Sequence, residues 1–320
     1  MNSPHMSLEK NFNTFYEKEL QGLLIPLETQ RKKIKKYGAA GFILLGTAVI
    51  LFIISAASHN KVSVVIAFVL LLAAFVLLII FGNKKKSFAA GFKESVVRKI
   101  IWFIDPSLQY SPGLKISKAD YLNSGLFVEQ PDRYSGDDYI EGTHEKTFFC
   151  FSELHTQRKV SSGKSTHWET IFRGLFFIAD FNKHFSGRTY VWSERNPQIN
   201  FLTKLFSSFA WNLEKVKLES VEFEKRFIVY SSDQVEARYI LTPSFMERIV
   251  KLQQLMGEGT SLSFVNTNIH IAVPMRDELF EPGIFSANDY NKLANYYKTI
   301  DQVFDIIDEL KLNQRLWNKE

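Results

Sequence analysis

Cysteine is nearly absent from this 320-residue chain: Cys150 stands alone, so no internal disulfide can form, which fits a reducing compartment for the water-soluble part. With 16 Gly and 9 Pro there is too little of either for a collagen-like or low-complexity architecture. No ionisable residue interrupts the stretches 38–58 and 62–82, which argues against a proton relay, a voltage sensor or an ion path through them. GxxxG, HExxH, GxSxG and GxGxxG are all missing, so the common signatures of helix dimers, zinc peptidases, α/β-hydrolases and dinucleotide folds give no lead. At 37.0 kDa, with 46% hydrophobic and 23% charged residues, the chain is long enough for about two folded domains.

What is present is strongly segregated. Residues 1–100 carry fourteen Lys and Arg against five Asp and Glu, whereas 101–320 carry 25 against 29. The sequence pI of about 9.0 is therefore a property of the first hundred residues. That weakens nucleic acid as a partner, because a duplex-binding domain carries its own basic face. Anionic lipid is the better match.

Each of the stretches 38–58 and 62–82 is long enough to cross ~30 Å of hydrocarbon as a helix. From Val62 to Phe81, sixteen of twenty residues are Leu, Ile, Val or Phe, and transfer scales give about 5–10 kcal/mol in favour of insertion. The connection Ser58-His59-Asn60-Lys61 is too short for anything but an antiparallel hairpin. Arg31, Lys32, Lys33, Lys35 and Lys36 precede it and Lys84, Lys85 and Lys86 follow it, against Lys61 alone in the turn. The positive-inside rule then puts both termini in the cytoplasm, with the eight basic residues at the membrane surface. Small residues Gly38, Gly41, Gly46, Ala56 and Ala57 allow close packing of the two helices.

The segment 1–37 reads as an amphipathic helix kinked at Pro26, with MNSPHM at 1–6 set aside as a cloning remnant. Residues 83–104 read as a basic juxtamembrane helix stopped by Asp105-Pro106. From 105 to 320 the pattern alternates. Strands are expected at Thr147–Glu153, Trp168–Phe181, Thr189–Trp192, Val216–Phe223, Arg226–Ser231 and Ala237–Leu241, with a hairpin around Asn266-Thr267-Asn268. Thr242-Pro243 and Gly257 bound a helix at 243–256, and a long C-terminal helix starts at a Ser286 cap and ends near Leu312. The expected fold class is α+β: a two-helix transmembrane hairpin and a cytoplasmic domain with a largely antiparallel sheet and helices.

The stretches SELHTQ at 152–157, WETIFRGLFFIADFNKHFSGRTYVW at 168–192 and EARYILTPSFMERI at 236–249 resemble signature segments of a bacterial membrane family known as domain of unknown function 3137. The resemblance extends over most of the chain. It implies a membrane-anchored bacterial protein with a cytoplasmic domain, and no activity.

Candidate chemistry is sparse. Ser162-Gly163-Lys164-Ser165 mimics the end of a phosphate-binding loop, but Arg158 stands where the first glycine belongs, so a polar hairpin tip is the reading. His144, His155, His167 and His184 lie among acids; of these, Glu153 with His155 and His167 with Glu169 would share strand faces and form a metal set if they converged. Lys183 and Arg188 flank a turn that could grip an anion. Cys150 belongs to a strand pattern in which a thiol is inert packing.

The leading expectation is a non-enzymatic, membrane-anchored binding or scaffold module without cofactor, engaging anionic lipid or a protein partner. A homo-oligomer is compatible with it. The alternatives are a metal-dependent hydrolase built on His155, His167, Glu153 and Glu169, and an oligomeric pore lined by Thr47, Ser55 and Ser63.

Overall fold

A computed structural model describes residues 12–58, 61–163, 165–181, 183–196, 213–283, 289–310 and 312. It divides into two compact units. One comprises 1–103 and 280–295; the other comprises 104–279 and 296–320.

The first unit is built on two helices, α1 (residues 12–58) and α2 (residues 61–104). Both are long and apolar enough to cross a membrane. α1 runs on through Pro26 without a break in its assignment. Buried positions Leu24, Leu27, Arg31, Ile34, Gly38 and Gly41 alternate steps of three and four, then Ala48 and Ser55 follow at sevens. On α2, Ala67, Ala74 and Phe88 keep the same seven-residue spacing. This is the heptad seam of an antiparallel coiled coil. A Cβ at Gly38 would lie 2.8 Å from Phe81 Cε2, and one at Gly41 3.0 Å from Leu78 Cδ2, so both glycines are notches for the facing side chains. Gly46, by contrast, meets nothing within 4 Å, and Ala56 and Ala57 are exposed. Each helix takes one π turn, Tyr16–Leu20 in α1 and Lys93–Val97 in α2. The segment 280–295 joins this unit through Glu281, whose carboxylate accepts from buried Lys93 at 2.8 Å, and through Tyr290, whose ring meets Phe12 and Tyr16.

The second unit holds a nine-stranded sheet, antiparallel throughout. In chain order its elements are β1 (Gln109–Ser111), α3 (Lys118–Asn123), β2 (Arg133–His144), β3 (Thr147–Ser162), β4 (Ser165–Asp180), β5 (Arg188–Ser193), β6 (Glu214–Lys215), α4 (Val221–Glu224), β7 (Phe227–Ser231), α5 (Gln234–Ile240), α6 (Pro243–Met256), β8 (Ser261–Val265) and β9 (Asn268–Pro274). The last helix, α7 (Tyr290–Glu309), divides its residues between the two units. The spatial order is β1-β2-β3-β4-β9-β8-β5-β7-β6. One face buries Leu154, Phe172, Phe176, Tyr190 and Trp192 under Tyr121 of α3 and Leu126, with the Trp192 indole N–H donating to the Leu126 carbonyl at 3.1 Å. Toward the other face, Phe264 packs with Phe245 of α6, and Phe149 with Phe304 of α7.

The helix expected at 243–256 has those bounds, with Thr242 accepting from the Phe245 N–H as its cap. The hairpin at Asn266 is present, Val265 pairing with Asn268. Two expected strands are instead helices. Ser220 caps α4 inside the segment Val216–Phe223, and Asp233 accepts from the N–H groups of Val235 and Glu236 to start α5 where Ala237–Leu241 looked extended. A side-chain oxygen placed to satisfy the first free amides outweighed short apolar alternation in both places. The Ser286 cap and MNSPHM lie outside the described residues.

β3 and β4 outrun their neighbours. β2 pairs no farther than Arg133 with Gln157, and β9 ends at Pro274 opposite Gly174. Residues 158–169 therefore pair with each other alone in the sheet, a two-stranded arm closed by Ser162 opposite Ser165 and Gly163 at φ +56°. Ser162, Gly163 and Ser165 of the SGKS segment lie at the arm's tip, and Lys164 is outside the described residues.

Candidate functional site

Three places concentrate polar chemistry. The first is the lysine-rich level of α1 and α2. Since Gly38 faces Phe81 and Glu19 faces Lys99, the antiparallel pairing sets residues 33–36 against 83–86. Lys32, Lys33, Lys35, Lys36, Lys84, Lys85 and Lys86 are exposed there, with the Lys84 ammonium 5.6 Å from the Tyr37 ring centre. Arg31 differs from the rest: it is buried, and its Nε donates to Glu28 at 2.7 Å. That pair holds the Glu28 carboxyl below its ordinary range, hydrogen bonding to Arg31 being the main cause. Cations farther along the helices also have carboxylates: Lys93 with Glu281, Arg98 with Glu94, Lys99 with Glu19. Between Glu28 and Glu94 the sequence contains no Asp or Glu at all.

The second place is a buried carboxylate cluster. β2 slips register between Asp137 and Ile140, with Asp138 at φ +58°, and this turns Asp138 inward beside Asp137 and Glu153 of β3. One carboxylate oxygen from each lies within 4.8 Å of the others. Tyr110 donates its hydroxyl to Asp138 at 2.5 Å, and Glu153 accepts the Leu279 N–H at 2.7 Å. Burial pushes Glu153 up to about 7, and Asp137, Asp138 and Glu278 add to this against the pull of the Leu279 amide. Three carboxylates are a donor set for a hard cation such as Mg²⁺ or Ca²⁺, yet a proton on Glu153 meets the same electrostatic need. No sequence pattern marks Asp137 and Asp138, because the bulge is what brings them to Glu153.

The histidine set does not come together. His155 stands opposite Arg173 and its Nε2 lies 3.2 Å from Thr170 Oγ1, while His167 stands opposite Val160. Five strand positions, about 16 Å, separate the two levels. Glu169 accepts from Arg158 at 2.7 Å and Glu153 is engaged by Leu279. His144 lies 3.1 Å from Asp308, and His184 is exposed. Thr47 donates to the Leu44 carbonyl of its own helix, and Ser55 is buried in the seam. Burial pushes the Cys150 thiol up to about 11, which keeps it protonated and unreactive.

The third place is the turn before β5. Its amides at Ser186 and Gly187 do bind an anion: the Glu236 carboxylate of α5, at 3.0 and 2.8 Å. The Lys183 ammonium sits 4.1 Å from the Tyr239 ring centre, and desolvation there lowers its pKa. Arg188 contributes its backbone N–H, to Ser232 Oγ at 2.9 Å.

Comparison with known proteins adds one firm relation. Residues 170–312 match the family model described as "Protein of unknown function (DUF3137)". The expected resemblance to that family is found over this segment, and SELHTQ at 152–157 and the early helices lie outside it. The matched segment begins in β4 and covers β5 to β9 and the helices α4 to α7. No curated protein matches the chain significantly. Among solved structures, the mycobacterial trehalose monomycolate transport factor A is similar at 9% identity and a TM-score of 0.34, over 67% of this chain and 94% of that one. A likeness of that size carries no argument about this chain.

Proposed function

We propose that the chain is a membrane-anchored binding module of a bacterial inner membrane. α1 and α2 cross the bilayer as a hairpin, both termini are cytoplasmic, and the sheet-bearing unit engages a protein partner at the inner face. The lysine level lies among anionic headgroups.

The observation that carries this reading is the lysine level itself. It falls directly at the end of two apolar helices, and with no Asp or Glu between Glu28 and Glu94 in the sequence, Glu28, which pairs with Arg31 and lies 4.0 Å from Lys32, faces a large excess of positive charge. Phosphate-bearing lipid is the nearest source of compensating charge, worth ~1 kcal/mol per lysine near an anionic leaflet.

Two measurements test it. An impermeant maleimide applied to intact cells should label a Lys61→Cys variant and leave a Ser87→Cys variant unlabelled; the reverse pattern would overturn the topology. In nanodiscs of mixed phosphatidylglycerol and phosphatidylcholine, the full chain should enrich the anionic lipid around itself. Changing Lys84, Lys85 and Lys86 to Gln, or adding salt, should reduce that enrichment, and equal enrichment throughout would exclude the lipid contact.

A further inference from the structure

The β3–β4 arm leaves one edge of the sheet open. On its β3 side the arm is covered: Asp132 donates its backbone N–H to the Gln157 carbonyl at 3.0 Å, and its carboxylate accepts the Lys159 N–H at 2.7 Å. These two bonds fix the phase of the arm. Gln157 and Lys159 turn their backbone groups away from β4, so their partners Thr170 and Trp168 turn theirs away from β3, and Thr166 follows by the alternation of an antiparallel ladder. Among the described residues no strand pairs with these three on the outer side, since β9 takes up the edge only at Gly174. Residues 165–170 are all exposed. A row of outward-facing amides and carbonyls on an exposed edge is a template for another strand, and a ribbon of two strands is marginal without one.

The order of residues along the edge decides which strand fits. Reversed on itself about Trp168, the edge meets its own complement: Trp168 falls opposite Trp168, Thr166 opposite Thr170, and His167 opposite Glu169. The tryptophan and threonine pairs are the hydrogen-bonded kind, exchanging about six backbone bonds in all, and the His167–Glu169 pairs take the closer, non-hydrogen-bonded sites. Both Arg158 bonds to Glu169 end on Oε2, at 2.9 and 2.7 Å, so Oε1 is the oxygen that meets the imidazole of the second copy. Aromatic and threonine pairs add to the contact. Moving the centre by one residue loses this match. Centring on Glu169 sets carboxylate against carboxylate, and centring on His167 sets imidazole against imidazole. The overlap also ends short of β9, with Ser165 opposite Ile171.

We propose that two copies of this chain join through the arm, β4 to β4 and antiparallel about Trp168, in an isologous contact. The contact needs only the open edge of the second unit and does not rest on the membrane placement.

The test uses the full chain in mild detergent. Sedimentation should show a concentration-dependent dimer. His167→Glu, an exposed change opposite Val160 within the arm, should raise the dissociation constant about tenfold, because both symmetric pairs then oppose two carboxylates. His167→Lys should keep the dimer. Under copper-catalysed oxidation, Trp168→Cys should form an inter-chain disulfide, since Cα atoms in such a pair lie about 5.5 Å apart. Thr166→Cys alone should not crosslink, and Thr166→Cys combined with Thr170→Cys should. That double variant keeps Trp168 under Arg133, so its failure to crosslink could not be laid to loss of the tryptophan. The native chain, with only buried Cys150, supplies the background. A chain that stays monomeric, a dimer indifferent to His167→Glu, or a disulfide from Thr166→Cys alone would each overturn the proposal.

Discussion

The Lys99 ammonium donates to the Glu19 carboxylate across 2.8 Å, joining α1 and α2 where both helices take a π turn. One turn beyond, Phe15 stacks on Phe103 with ring centres 4.0 Å apart. The buried positions Phe12, Phe15, Leu20 and Leu24 are spaced by three, five and four, the five-residue step coinciding with the π turn. The extra residue is absorbed there, so the same face meets α2 on either side of it.

Deleting Glu17 should therefore be tolerated, since it converts the π turn to an α turn and leaves Phe12 and Phe15 on the seam. Deleting Thr29 should not. It turns everything before it by about 100° and takes Phe15 off Phe103. Thermal melting in detergent separates the two: little change or a gain for the first, a loss of several degrees for the second.

At the glycine notches, Gly41→Leu should weaken the helix pairing by about 1–3 kcal/mol, because its Cβ alone would press on Leu78. Gly46→Leu is the control. It meets nothing within 4 Å and should be silent in the same helix-dissociation measurement.

Two buried groups of the second unit titrate in opposing senses. Glu153 is raised from 4.5 to about 7, so the folded state holds its proton longer than the unfolded chain, and this stability is lost as pH rises through that window. His270, between Phe176 and Ser263, is lowered from 6.5 to about 4 by burial, so its contribution is lost as pH falls from 6.5 toward 4. Each is worth up to about 3 kcal/mol, and they offset between pH 4.5 and 6.5. Glu153→Gln should unmask a stability that rises with pH there; His270→Gln should unmask one that falls. Denaturant midpoints at half-unit pH steps would check both, and identical profiles for the two variants would contradict the assignment.

The anion seat before β5 makes a separate prediction. Glu236→Gln should cost about 1–2 kcal/mol through loss of the charge-assisted bonds to Ser186 and Gly187. Inorganic phosphate should protect the variant against heat more than it protects the native chain, in which Glu236 already occupies the seat.

How far the sequence could be read follows from range. The apolar spans, the α6 caps and the Asn266 turn are encoded within a few neighbouring residues and were legible. The coiled-coil seam was not, because the flanking positions are apolar too, and only small residues at sevens mark it. β2 was missed where Gly136, Asp137 and Asp138 break any alternation, and α4 and α5 were mistaken for strands because single capping oxygens decided them. The carboxylate cluster depends on a slip in pairing between strands, and the separation of His155 from His167 depends on register. Neither is written in one segment.

Because residues 158–169 find their sheet partners within the β3–β4 arm, and the arm's ties to the rest, Arg158 to Glu129, Lys159 to Asp132 and Trp168 under Arg133, lie at its base, the tip can change length while the other seven strands keep their pairing. It is the natural place to graft an epitope or a fluorophore: an insertion at Gly163 lengthens a free tip, whereas the same insertion at Asn266 would pry apart the central β8–β9 pair. A handle placed there would let the chain be captured or imaged with its folded body intact.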